Sequence, residues 1–82
     1  MKVTTKTGSV YLIDQNLCRK YDSNNNLVDT FKVFNLKPIP LDVDSMIDVY
    51  IAPEGEPTVG QRLFLTGFGS WWLSTEVVKV EL

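Results

Sequence analysis

The stretch QRLFLTGFGSWWLSTEVVKVEL, residues 61–82, carries the strongest structural signal in the chain. Leu63 and Leu65 alternate with Phe64, and Val78, Val80 and Leu82 alternate with Lys79 and Glu81, the period of two that a pleated strand imposes. With turns at 67–70 and 75–76, the stretch reads as a three-stranded meander over 61–67, 70–75 and 77–82. Gly67 and Gly69 suit a hairpin tip. They lack the longer glycine pattern, the following lysine and the strand-to-helix context of a phosphate loop. Trp71 and Trp72 are adjacent, so an extended strand sends them to opposite faces. Trp71 shares its face with Leu73 and is the expected core ring, which leaves Trp72 facing outward.

The upstream sequence has the same character. KVTTKT (2–7) and SVYLID (9–14) meet at Gly8 and Ser9 as a hairpin in which Gly8 supplies a positive φ. LCRKYD (17–22) is a third strand, SNNN (23–26) a turn in which asparagine tolerates the left-handed region, and LVDTFKVFNL (27–36) a further strand. In that last segment Phe31 and Val33 share one face while Val28, Phe34 and Leu36 take the other. Either both faces are partly buried or a bulge shifts the register. In KPIPLDVDS (37–45), Pro38 and Pro40 cannot donate to a ladder, and an irregular extended connection is expected. MIDVYIA (46–52) reads as a strand with Ile47, Val49 and Ile51 inward and Asp48 and Tyr50 outward, followed by a turn at PEGEP (53–57). Six or seven short antiparallel strands in a single β domain, 1–82, fit an all-β fold. It would be a small barrel of the SH3-like or OB-like kind or a compact sandwich, and the closed barrel leaves the fewest free edges.

Composition narrows the function classes. A chain of 82 residues buries only about 60–65% of its unfolded surface, so self-association into a homo-oligomer is an expected source of stability. Hydrophobic residues at 44% and charged residues at 22% describe a folded globular chain. The net charge is −2 and the eight basic residues are dispersed, which argues against nucleic acid, whose binding draws on concentrated phosphate neutralisation. Cys18 is the single cysteine, so no intrachain disulfide forms and a reducing, cytoplasmic setting fits. The opening MKVTTKTGSVYLID has no signal-peptide pattern, and no apolar run approaches the ~18 residues of a membrane helix.

Catalytic chemistry finds little support. The chain has no histidine, hence no Ser-His or Cys-His pair and no imidazole metal ligand. Cys18 stands beside Arg19 and Lys20, but a lone cysteine on a strand reads as a small buried hydrophobe. Asp42, Asp44 and Asp48 have a spacing that can converge on calcium or magnesium. They lack the further oxygen ligands and the turn glycine of a calcium loop. SMID (45–48) fits a capping box instead, with Ser45 starting a brief helical turn, and Glu54 and Glu56 read as a charged turn. No enzyme, metal or cofactor is expected. The remaining candidates form an interaction surface of Phe68, Trp72, Tyr50, Phe64, Tyr11 and Arg62, because aromatic rings bury much area at little rotamer cost.

TTKTGSVYLID (4–14) and STEVVKVEL (74–82) resemble the ends of small, mostly uncharacterised β-rich accessory proteins of tailed bacteriophages, which pair a Gly-Ser-Val-Tyr hairpin with a Thr-x-Val-Val-x-Val closing strand. The resemblance implies a viral accessory origin and supplies no catalytic residues. The expected function is then a phage protein, acting in the cytoplasm of an infected bacterium, that binds and inhibits a host protein, such as a defence factor, through the aromatic surface. The alternatives are an oligomeric sponge holding a nucleotide-like molecule between aromatic rings and Arg62, and a virion or assembly component.

Overall fold

In a computed structural model, six antiparallel strands and one short helix follow in the order β1 (Lys2–Thr5), β2 (Val10–Asp14), β3 (Leu17–Tyr21), β4 (Leu27–Ile39), α1 (Met46–Ile51), β5 (Arg62–Gly67) and β6 (Ser70–Glu81). The structure describes residues 1–67 and 69–82, with Val33 and Phe34 described by their backbones alone. Each strand pairs with the next, and β6 returns to β1, closing a small barrel. The all-β barrel expected from the sequence is what forms.

Two long strands make this closure possible. The first half of β4 pairs with β3 and its second half with β5. The first half of β6 pairs with β5 and its second half with β1. Each long strand therefore serves two sheets and must bend between them, which is where bulges belong. In β4 the register shifts between Val33 and Asn35, one of the two possibilities open from its mixed apolar pattern. In β6 Phe64 faces Leu73 while Arg62 faces Glu76, so β6 carries an extra residue there. Ser74 supports this bulge with its side chain: Leu63 N–H donates to Ser74 Oγ at 2.8 Å, and Ser74 Oγ–H donates to the Thr75 carbonyl at 2.7 Å. Ser70–Glu81 is thus one bent strand, not two strands joined by a turn at 75–76. The bends also move Val77 into the core and leave Val78 exposed.

The sheet has two covered faces, because the barrel closes over one and α1 docks on the other. Inside the barrel lie Val3, Tyr11, Ile13, Cys18, Phe31, Leu63, Leu65 and Val77. On the outer face of β4 and β5 a second, smaller core joins Ile39, Phe64 and Val49, the last supplied by α1. Leu63 and Leu65 point to one core and Phe64 to the other, as alternation requires.

Residues 46–52 form a helix rather than the expected strand. Pro40 and Pro53 bound the segment, and the edge of β5 is already taken by β4 and β6. A single buried residue, Val49, then suffices to dock one helical face. Ser45 does start the helical turn, as its capping-box pattern suggested, but its side chain makes no capping bond. The connection also begins later than expected, since β4 runs through Pro38 to Ile39. Gly55 N–H donates to the Leu36 carbonyl at 2.9 Å on the edge facing away from β5. Pro38, two residues on, presents its missing N–H to that same edge. Gly8 and Asn25 supply the expected left-handed residues, with φ of 89° and 64°.

Candidate functional site

The structure separates the residues expected to share one aromatic surface. Tyr11 and Phe64 are buried, not outward: Tyr11 pairs with Val3 inside the barrel, and Phe64 is the centre of the outer core. Arg62 is half-buried, its Nε–H donating to the Ser74 carbonyl at 2.9 Å. Phe68 lies outside the described residues. Tyr50 is exposed, as expected, although from a helix.

The two tryptophans do diverge, but the expected core ring is the more exposed of the two. Trp71 shares its face with Leu73, and that face is the outer one beneath α1. Trp71 is 50% exposed and packs against Phe64 with ring centroids 6.1 Å apart. Trp72 pairs with Leu65, on the barrel-interior side, and is 39% exposed because it sits at the mouth of the barrel. There the ammonium of Lys20 lies 4.2 Å from the centroid of its ring. Lys20 is itself buried and pairs across the sheet with Tyr11, so cation, indole and phenol together close this end.

Beneath that lid the titratable groups are held neutral. Burial pushes the Cys18 thiol from its ordinary 9.0 up to about 12. Burial likewise pushes the Tyr11 phenol up to about 12, against a lowering hydrogen bond with Trp72 and a raising influence from Cys18. Cys18 therefore has the opposite of an activated thiolate's environment.

α1 has an inverted surface. An ordinary surface helix puts its polar residues outward, whereas here Ile47 is 73%, Tyr50 59% and Ile51 74% exposed, with Met46 beside them. Their i, i+3, i+4 spacing gathers them on one side, and Asp48 is the only charge in the helix. The Tyr50 ring stands 5.9 Å from Phe64, which also contacts Trp71. Phe64 is thus the buried link between the helix and the exposed tryptophan. Sequence alternation missed Ile47 and Ile51, whose i, i+4 spacing fits a helical face as well as a strand.

Beside this face lies an open groove of about 390 Å³ lined by Asn35, Lys37, Tyr50, Phe64, Thr66 and Gly67. Lys37 is nearly buried, its ammonium donating to the carbonyl of Tyr50 and lying 5.9 Å from the Phe64 centroid. That bond pins the last turn of α1 to β4. Among the described residues no helix is long and apolar enough to cross a membrane, and no group of His, Cys, Asp or Glu is placed to hold a metal ion. Asp42, Asp44 and Asp48 lie exposed on the approach to α1 and within it. Comparison with protein-family models, curated proteins and solved structures found no match to this chain.

Proposed function

We propose that the protein is a non-enzymatic binding module whose docking face is the outer side of α1, extended by Trp71. The observation that supports this most is the exposure of Ile47, Tyr50 and Ile51 on a helix that needs only Val49 to hold it to the sheet. Contiguous apolar surface rimmed by polar residues is what protein interfaces use, and two aromatic rings backed by a third give it rigid anchors. With the phage-like ends of the chain, the partner is a host protein of the infected bacterium, met in its cytoplasm and inhibited by occupation of its surface. Self-association through the same face is the competing use.

The test compares affinity capture from bacterial lysate by the wild type, by the Ile47→Asp, Ile51→Asp double variant and by Val78→Asp, which changes an exposed apolar residue on β6. A partner held by wild type and Val78→Asp and lost by the double variant is then purified and its binding measured directly. Equal recovery of every protein by all three chains refutes the docking face. Sedimentation of the pure wild type reads out self-association, which the double variant would abolish if α1 were the contact.

A further inference from the structure

The groove beside α1 holds one polar group, the Thr66 hydroxyl, that packing alone does not account for. Asn35 and Lys37 sit two apart on β4, and opposite them stand Thr66 and Phe64, paired Asn35 with Thr66 and Lys37 with Phe64. Side chains facing each other across strands stand about 5 Å apart, and those two residues apart on one strand about 7 Å. The side chains of Lys37, Asn35 and Thr66 therefore line one patch of the outer face. Lys37 has three donors and gives one to the Tyr50 carbonyl. Thr66 Oγ1 is buried and has no hydrogen-bond partner among the described residues. The lining contains a cation and no carboxylate. Beside these heads, Tyr50 supplies an aromatic wall and Phe64 an apolar floor.

We propose that this groove binds a small organic anion, with its oxyanion head, carboxylate or phosphate, on Lys37 and Thr66 and its apolar body against Tyr50. Charge sets the class: an oxyanion accepts from the ammonium and, once the buried Thr66 hydroxyl rotates about χ1 toward the groove, from that hydroxyl as well, whereas a cation would meet Lys37 unshielded. Size agrees, since about 390 Å³ lies in the range of pockets that take small molecules. The site lies within one chain, in contrast to a pocket formed between subunits around Arg62. It shares Tyr50 and Phe64 with the docking face, but Ile47 and Ile51 do not line it, so the Ile47→Asp, Ile51→Asp double variant separates the two readings.

The experiment titrates ¹⁵N-labelled protein with benzoate, phenyl phosphate and the neutral benzamide, following backbone amide shifts. Saturable shifts at Asn35, Lys37, Tyr50, Thr66 and Gly67 with either anion, and none with benzamide, are expected; the stronger anion identifies the head group. Lys37→Met removes the charge and should weaken binding about tenfold or more, in line with a charged hydrogen bond. Because Lys37 also anchors α1, Thr66→Val provides the second variant: it keeps the shape, removes the hydroxyl and should weaken binding several-fold. Linear, unsaturable shifts with both anions, benzamide binding as well as benzoate, or undiminished affinity in folded Thr66→Val would each overturn the proposal.

Discussion

Replacing Cys18 by alanine should make the protein less stable at neutral pH and more stable in alkali. Cys18 is fully buried and faces Ile13 and Phe31 across the two neighbouring strands. Removing its sulfur leaves a small void that costs about 1 kcal/mol near pH 7.5. The alkaline effect runs the other way. In the unfolded chain the thiol ionises near its ordinary 9.0, while in the barrel burial holds it protonated until about 12. A folded pKa raised above the unfolded one gives stability that is intact below pH 9 and lost as pH climbs toward 12. At about pH 10.5 this loss amounts to about 2 kcal/mol, and the alanine variant escapes it. The order of stabilities should therefore invert, with the two chains equal at about pH 9.6. Tyr11 titrates in both chains and differs between them only through the raising influence of Cys18 on its phenol. Urea unfolding under anaerobic, reducing conditions, read by tryptophan fluorescence, measures it at both pH values. A difference independent of pH would show that Cys18 reaches solvent, and the argument that it is an inert core residue would fail.

Gly67→Ala should be severe, since a Cβ there would lie 2.1 Å from the Lys32 carbonyl oxygen, in backbone that cannot swing aside. A loss of about 3 kcal/mol is expected, seen as a fall in Tm of more than about 10 °C; a melt within a few degrees of wild type would count against this β4–β5 contact. Asp22→Ala should weaken the 22–26 turn at neutral pH, because the carboxylate accepts N–H bonds from Asn24 and Asn26, both at 2.9 Å. These backbone bonds, that from Asn26 foremost, hold its pKa below the usual carboxylate range, so the stabilisation is present above the unfolded pKa and disappears as pH falls through the folded one. Thermal melts should accordingly show the gap between wild type and variant closing in acid, and a gap that stays constant refutes the assignment. Trp72→Ala should open the barrel mouth, so that Cys18 reacts with a disulfide reagent at least about tenfold faster under conditions where the protein stays folded. Unchanged thiol kinetics would mean that Trp72 is not the lid.

What the sequence made legible follows from what one period can report. Alternation located β1, β2, β3 and β5 and the apolar ends of β6, because in those strands each side chain has one face to choose. It failed where the chain changes role midway. At Ser74 a side chain substitutes for ladder partners and lets one strand pass between two sheets, and a local pattern reads that bend as a turn. Around Ile47 the same apolar residues satisfy a strand and a helical face, and only the occupied edges of β5 decide between them. The polar heads of the groove were invisible for a related reason. Lys37 and Thr66 are unremarkable in sequence and become neighbours only once the register after the bulge at 33–35 sets Asn35 and Lys37 opposite Thr66 and Phe64.

The adjacent tryptophans show the same limit most sharply. Opposite faces imply one core ring and one free ring only if the sheet has one covered face, and this barrel has two. Trp72 therefore closes the interior over Tyr11 and Lys20, while Trp71 leans on Phe64 over the outer core. Each ring has a structural partner, and each is still partly exposed. What distinguishes them for function is the neighbourhood of the exposed part. Trp72 emerges beside a buried lysine that already engages its ring, whereas Trp71 shares its Phe64 support with Tyr50 on the apolar side of α1. Binding energy concentrates where rigid rings adjoin further apolar surface. Alanine at Trp71 should hence weaken a partner that grips α1, while alanine at Trp72 should loosen the barrel and leave that contact in place.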